Sequence, residues 1–248
     1  MTNTTAAIRT LVCGDGRMGA LVRAAVEADE AFECVGQVGI DDVDALDAGE
    51  VPAADLVIDF THRDMLPHLA AYLEQNPAAL VSGTTGLEAE GLQTLDALAK
   101  RMPVVHSSNY SLGVAVLKRI TSEVARALDG FDVEIVETHH NQKVDAPSGT
   151  AKLLLAAVDP EGIYSVKSGR DGMVGKRPER EIGMHALRGG TVAGTHDVHF
   201  FGPDEEVCLT HRATSRQIFV NGAVACARRI AGAKPGFYTF DELMFGEG

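Results

Sequence analysis

Two adjacent histidines, a lysine and a helix start fall in one short stretch, Glu137-Thr138-His139-His140-Asn141-Gln142-Lys143-Val144-Asp145-Ala146-Pro147-Ser148-Gly149-Thr150-Ala151. The backbone N–H groups of Ser148, Gly149 and Thr150 would open a helix and point at an incoming anion, with the helix dipole behind them. His139, His140 and Lys143 add proton donors and positive charge beside that anion hole. These residue types at this spacing suit a site that grips a carboxylate and hands a proton to the same small molecule. The plain alternative is a solvated loop followed by an ordinary N-capped helix. Against it stand the concentration of cations in an otherwise acidic chain and a nucleotide-binding pattern far upstream.

That upstream pattern is Gly14-Asp15-Gly16-Arg17-Met18-Gly19, a G-x-G-x-x-G. Alone it is weak. Here it follows a predicted strand, Ile8 to Cys13, and opens a helical run of Met18, Leu21, Val22 and Ala25, which is the context that gives it meaning. Gly14 permits a tight turn, Gly16 lets backbone approach a pyrophosphate, and Gly19 allows helix and strand to pack closely. The acid expected to read the adenosine ribose is Asp41, just past the second strand. Asp42 and Asp44 lie beside it, so a solvated loop acid is the competing reading. No Arg or Lys occurs from Val35 to Glu50, so a 2′-phosphate would meet acids. The spacing favours NADH at least as much as NADPH. Two further turns, Gly83-Thr84-Thr85-Gly86 and Ser107-Ser108-Asn109-Tyr110, end predicted strands where a nicotinamide and its ribose could be held.

The elements that must position these groups alternate. Strands are expected at Cys34 to Val38, Leu56 to Phe60, Ala79 to Val81 and Val104 to His106. Thr61 is expected to cap a helix with Leu66, Leu69, Ala70 and Leu73 inward, Leu92, Leu95 and Ala99 mark another, and Asp41 to Glu50 reads as an acidic loop. This is an α/β pattern, a Rossmann-like doubly wound parallel sheet. The second half changes character and predicts a second α+β domain. Phe131, Val133 and Ile135 alternate with acids, residues 160 to 190 read as long loops, and Thr191 to Phe201 and Val207 to Thr214 read as an antiparallel pair joined at Gly202-Pro203-Asp204. Gly222 to Ile230 reads as a helix. The alternation His196-Asp197-Val198-His199-Phe200 leaves apolar residues that a two-stranded ribbon could not bury alone, which predicts an oligomer built through these strands.

Composition bounds the function. The chain has 248 residues, 45% hydrophobic and 23% charged, with a formal net charge of −13. The negative charge argues against nucleic acid or an anionic membrane as partner, and no apolar run is long enough to span a bilayer. Cys13, Cys34, Cys208 and Cys226 are dispersed, without metal-like spacing, which fits a reduced, cytoplasmic setting. Met1 to Ala7 shows no basic region followed by an apolar core, so no signal peptide is expected. His62, His68, His106, His185, His196, His199 and His211 show no ligand-like grouping with carboxylates; they read as surface or internally satisfied residues, and no metal is expected.

Taken in order, Gly14 to Gly19, Asp59-Phe60-Thr61, Gly83 to Gly86, Asn109-Tyr110-Ser111, the His139 to Ala151 run, Thr214-Ser215-Arg216 and Asn221-Gly222-Ala223 resemble the dihydrodipicolinate reductase family. The similarity runs from the first strand to about Ile230, and the His-His-x-x-Lys-x-Asp-Ala-Pro-Ser-Gly-Thr-Ala run is its most specific part. The resemblance implies reduction of 4-hydroxy-tetrahydrodipicolinate to tetrahydrodipicolinate with NADH or NADPH, in the diaminopimelate route to lysine. It implies that Gly14, Asp15, Gly16, Arg17 and Met18, Gly83, Thr84 and Thr85, and Ser107, Ser108, Asn109 and Tyr110 hold the cofactor. His139 takes the place of the general acid/base and Lys143 that of a second proton donor, while His140, Lys143, Ser148, Gly149 and Thr150 hold the dicarboxylate. It further implies a homotetramer. It places a dinucleotide-binding domain at 1–110, completed by 217–248, and a substrate-binding and oligomerisation domain at 111–216. The chain departs from many members in its shorter first glycine loop, which bears on cofactor preference rather than on the reaction. Two rival readings remain: another nicotinamide-dependent dehydrogenase of an amino-acid pathway, which leaves the His139 to Thr150 run unexplained, and a non-catalytic nucleotide-sensing module, which needs no such run.

Overall fold

A computed structural model describes residues 6–246 of the chain. Residues 1–5, most of the segment read for a signal peptide, lie outside the described residues. In chain order the elements are β1 (Ile8–Cys13), α1 (Arg17–Glu27), β2 (Phe32–Val38), α2 (Val43–Asp47), β3 (Leu56–Asp59), α3 (Leu66–Gln75), β4 (Ala79–Ser82), α4 (Ala89–Ala99), β5 (Pro103–His106), α5 (Leu112–Ala127) and β6 (Asp132–His139). They continue with α6 (Gly149–Val158), β7 (Ser165–Lys167), β8 (Glu181–Arg188), β9 (Gly194–Gly202), β10 (Glu205–Ala213), α7 (Gln217–Ile230), β11 (Gly236–Tyr238) and α8 (Phe240–Phe245). The chain divides into two compact units, residues 1–110 with 217–248 and residues 111–216.

The first unit holds a six-stranded parallel sheet in the order β11-β5-β4-β3-β1-β2. Leu11, Val12, Leu56, Val57, Ile58, Leu80, Val81, Val104 and Val105 are fully buried, because helices cover both faces of a parallel sheet and leave no strand face for water. The chain runs from β1 outward to β2 and then returns to β3 on the other side of β1. That reversal is a topological switch point, where open α/β sheets bind ligands beyond their strand ends. The turns after β1, β3, β4 and β5 therefore emerge along one sheet edge.

The second unit is a mixed five-stranded sheet ordered β10-β9-β6-β8-β7, with β6 antiparallel to β9 and parallel to β8. Side chains alternate across a strand. Val133 and Ile135 of β6, Ile182 and Met184 of β8, and Val198 and Phe200 of β9 turn to one face and pack with Leu117 of α5 and Ala151 and Leu154 of α6.

Several local expectations give way. The acidic stretch from Asp41 to Glu50 is not a loop: a 3-10 turn at Ile40–Asp42 runs into α2, which buries Leu46. Thr61 does not cap a helix, because its hydroxyl donates to Asp59 at 2.6 Å; His62 stands before the turn Arg63–Met65 instead, and α3 starts only at Leu66. Residues 160 to 190 are not all loop, since β7 and β8 lie there, and Ile182 and Met184 supply the buried face that the surrounding Gly, Arg and Lys mask in the sequence. The apolar alternation in β9 does not need a second chain. Val198 and Phe200 are buried within this unit because α5 and α6 pack against that face of the sheet. Helix α5, β11 and α8 have no counterpart in the sequence reading, and α7 begins at Gln217 rather than Gly222.

Candidate active site

In the first unit the glycine turn is built as the sequence requires. Gly14 adopts φ +117°, and a Cβ there would lie 2.7 Å from the Phe60 carbonyl oxygen. A Cβ on Gly19 would overlap the Gly14 carbonyl, so α1 packs directly onto the turn. Gly16 occupies the N-cap of α1 without any side-chain capping bond, and a Cβ there would meet nothing within 4 Å. A helix start without a side-chain cap, entered through a glycine that leaves room for a close neighbour, is a cradle that could hold the pyrophosphate of a dinucleotide.

The neighbouring turns are knitted together by a residue that the sequence reading did not count as functional. Asp59, at the end of β3, is buried and accepts bonds from the Thr61 N–H at 3.0 Å and hydroxyl at 2.6 Å, and from the Ser82 and Thr84 hydroxyls at 3.2 and 2.8 Å. Burial raises its pKa although all of these bonds favour the charged form. Its carboxylate ties the turn after β3 to that after β4. Gly83 has no side chain because the Phe60 ring fills the space. Tyr110 is buried and donates to the Ser82 carbonyl at 2.7 Å, which fastens the turn after β5 to the same frame. Thr84 is buried within that frame, whereas Thr85, Ser108, Asp15, Arg17 and Asp41 are exposed.

In the second unit the groups converge at the ends of β6 and β8 and the start of α6. His139 is the last residue of β6, and Glu137, two residues earlier, shares its face. Glu137 is 0% exposed, and its carboxylate accepts from His139 Nδ1 at 2.5 Å, from Arg188 through both terminal nitrogens at 2.8 Å each, and from the Ser148 N–H at 3.1 Å. Burial pushes the Glu137 carboxyl up, but Arg188 and His139 outweigh it, and the net shift is downward. With Nδ1 committed to Glu137, Nε2 is the remaining nitrogen of His139. It lies beside Gly194, where a Cβ would approach it to 3.0 Å.

Ser148 is the N-cap of α6 and accepts from the Ala151 N–H at 3.1 Å. Its hydroxyl also pairs with His196 Nε2 at 3.0 Å. A hydroxyl oxygen already accepting from Ala151 is free to donate its proton to that nitrogen, which requires a neutral imidazole. Burial, with the nearby His139, accordingly pushes His196 down to about 4. The His139 and His196 rings meet edge to face at 5.2 Å between centroids. His196 was expected at the surface or internally satisfied; it is buried and belongs to this cluster. Lys143 reaches Asp145 at 2.6 Å, and the Asp145 carbonyl accepts from Arg188 at 2.7 Å. His140 stands next to Arg216, at 3.4 Å between Nε2 and the guanidinium. Gly149 is exposed at the first turn of α6 and Thr150 half-buried.

The structure therefore gathers His139, Ser148, Gly149 and Thr150 around one helix start. The sequence reading missed Glu137, Arg188 and His196. The period-two spacing of Glu137 and His139 in a strand was the one available signal, while Arg188 and His196 come from distant segments. One expectation about the other histidines fails. His199 does group with a carboxylate, and its ligand atoms lie within 4.8 Å of those of Glu206 and Cys208. His199 Nδ1 is hydrogen-bonded to Glu206 at 2.5 Å, on the sheet face opposite His196.

Comparison with known proteins bears on both units. Residues 8–110 match the family model described as dihydrodipicolinate reductase, N-terminus, and residues 113–244 the one described as dihydrodipicolinate reductase, C-terminus. A 4-hydroxy-tetrahydrodipicolinate reductase of Caldanaerobacter subterraneus subsp. tengcongensis is 40% identical over 247 residues, covering 96% of this chain and 98% of that protein. One from Akkermansia muciniphila is 42% identical over 244 residues, again covering 96% and 98%. Among solved structures, the dipicolinate-bound dihydrodipicolinate reductase from Paenisporosarcina sp. TG-14 superposes with a TM-score of 0.75 at 22% identity, over 96% of this chain and 100% of that one, which is a likeness of fold.

Proposed function

The chain belongs to the dihydrodipicolinate reductase family, and from that premise we propose how its residues divide the work of a 4-hydroxy-tetrahydrodipicolinate reductase. The reaction takes up a hydride and a proton, releases water, and yields tetrahydrodipicolinate, with NADH or NADPH as reductant. The nicotinamide supplies the hydride. Gly14 to Met18, Gly83 to Thr85 and Ser107 to Tyr110 hold the nucleotide in residues 1–110 with 217–248. Residues 111–216 hold the dicarboxylate. The first turn of α6 at Gly149 and Thr150, with His140 and Lys143, grips its carboxylates. The dipicolinate named with the solved relative is a ring dicarboxylate of this kind.

His139 is the proton carrier in this reading. Glu137 accepts from Nδ1 and fixes the ring, so that Nε2 is the atom turned to substrate and the one that hands over the proton. Lys143 is the second donor, and its ammonium exchanges Asp145 for a substrate carboxylate on binding. The single observation that carries the reading is this oriented imidazole beside the α6 N-terminus. The rival dehydrogenase and nucleotide-sensing readings account for the glycine turn alone.

The assembly is a homotetramer in this reading. The helices of the second unit lie on one face of its sheet, and the opposite face presents Leu187 and Phe201, 48% and 40% exposed, as a surface for further copies. A cytoplasmic setting is supported by four free cysteines. Among the described residues, no helix is long and apolar enough to cross a membrane.

The decisive assay is loss of nicotinamide absorbance on adding the unstable heterocycle formed from pyruvate and aspartate semialdehyde. Substrate-dependent oxidation of NADH or NADPH is expected. Its absence in folded protein that binds the nucleotide would reject the assignment.

A further inference from the structure

In a doubly wound sheet the adenosine ribose is read at the end of the strand beside the glycine-turn strand. A carboxylate there accepts from the 2′-hydroxyl and repels a 2′-phosphate. In this chain that strand is β2, and the residue just beyond it is Gly39, which is buried and has no side chain to offer.

The space above Gly39 is nonetheless filled. A Cβ on Gly39 would collide with the Asp15 side chain, 2.5 Å from its carboxyl carbon and 3.1 Å from its Cβ. Asp15 belongs to the glycine turn and reaches across to the end of β2. Turn and strand end are fixed to each other here. The Gly14 N–H donates to the Val38 carbonyl at 2.7 Å, and the Gln37 amide donates to the Gly14 carbonyl at 2.7 Å. A carboxylate therefore stands where a side chain from the end of β2 would begin, but it is supplied from the other side.

The remaining acids are placed differently. Asp42 spends one carboxylate oxygen on the Gly39 N–H at 2.8 Å. Asp41 is exposed on the 3-10 turn. Among cations, Arg23 is engaged with Glu27 at 2.8 Å and Gln37 at 3.1 Å, and Arg17 is exposed at the start of α1. No Lys or Arg lies from Val35 to Glu50 to receive a 2′-phosphate.

We propose that Asp15, seated over Gly39, reads the adenosine ribose in place of a β2 acid and sets a preference for NADH over NADPH. Gly39 is the permissive half of the pair, since any side chain there would expel the carboxylate. The proposal rests on the nucleotide-binding reading of residues 1–110. Its test therefore separates binding from turnover.

NADH and NADPH are titrated into the full-length protein without substrate, following nicotinamide fluorescence, and kcat/KM for each is measured alongside. Tighter binding of NADH is expected. Asp15→Ser should weaken NADH and strengthen NADPH, moving the ratio of their dissociation constants by roughly ten- to a hundredfold, the worth of a hydrogen bond to a charged group. Gly39→Ala should move the ratio in the same direction, and Asp41→Ser should move it less than Asp15→Ser. Circular dichroism confirms folding, and Asp15 is exposed, so its replacement leaves the core intact. An unchanged ratio in Asp15→Ser, or a larger shift in Asp41→Ser, overturns the proposal while leaving the reductase reading in place. If neither nucleotide binds the folded parent protein, the reductase reading itself fails. Binding without substrate-dependent oxidation would strike at the chemistry of residues 111–216 and leave the Asp15 result standing.

Discussion

Glu137 has no water to lean on, and four donors from three segments of chain converge on its carboxylate. Its effect on the reaction passes through the His139 imidazole. Glu137→Gln replaces one of two acceptor oxygens with an amide donor among four donors and removes the charge opposite Arg188, so kcat should fall about ten- to a hundredfold, the worth of a hydrogen bond to a charged group. His139→Ala should cost on the order of a hundred- to ten-thousandfold. The double variant should be little worse than His139→Ala alone, because the two act as one unit; additive losses in kcat would show that Glu137 acts independently. Lys143→Ala should lower kcat with nucleotide binding intact, and His140→Ala should chiefly raise KM, since a carboxylate contact is made in the ground state as well. His196 provides a pH dependence. Burial pushes it down to about 4, so the unfolded chain, with an imidazole near its usual 6.5, binds more protons than the folded one. That stability is complete above about pH 6.5 and is lost as pH falls toward 4. Melting temperatures measured across this window should fall less steeply in His196→Asn than in the parent protein.

At the level of elements, short contacts decide what each turn can hold. Helix α6 begins where Ser148 caps it and binds His196 with the same hydroxyl. Ser148→Ala should cost about 1 kcal/mol for the cap, and more because His196 loses its buried partner; denaturant unfolding measures it. Helix α1 packs so closely on the glycine turn that any Cβ at Gly19 overlaps backbone. Gly19→Ala should push α1 away from the turn and abolish NADH binding in titration. Retained affinity would show that the turn tolerates a shifted helix. The starts of α1 and α6, the glycine turn and the central strands of the first sheet were legible in the sequence because each depends on neighbours in the chain. The acidic stretch after β2 misled, because the residues that seat α2 on the core, the buried Leu46 and the half-buried Val43, are hidden among exposed acids. Strand β8 misled likewise, since its pairing partner β6 lies far away in the chain.

At the scale of the molecule, the formal charge of −13 leaves the few cations near His139 to attract a dicarboxylate. Their pull is local and should weaken with salt. The assembly proposed above predicts that sedimentation at micromolar concentration gives a tetramer. Phe201→Asp, on the open face of β9, should shift it to smaller species while the far-ultraviolet dichroism is preserved, because Phe201 lies outside the core that Val198 and Phe200 help to form. A monomer in the parent protein would defeat the assembly. The apolar alternation in β9 offers no support for it, being satisfied inside one chain.

Local spacing along the chain specifies the alternation of strand and helix in the first unit, the glycine turn, the helix start at Ser148 and the histidines and lysine just ahead of it. All of these are set by residues within a few positions of one another, where spacing along the chain is spacing in space. Which groups act on which depends on how distant segments pack. Arg188 and Ser148 meet Glu137 through the pairing of β6 with β8 and the return of α6, His196 reaches Ser148 from β9, and Asp15 fills the gap above Gly39 because β1 and β2 lie side by side. Those contacts join residues far apart in the chain, and nothing in the local pattern of either partner specifies the other. Strand order and register fix them.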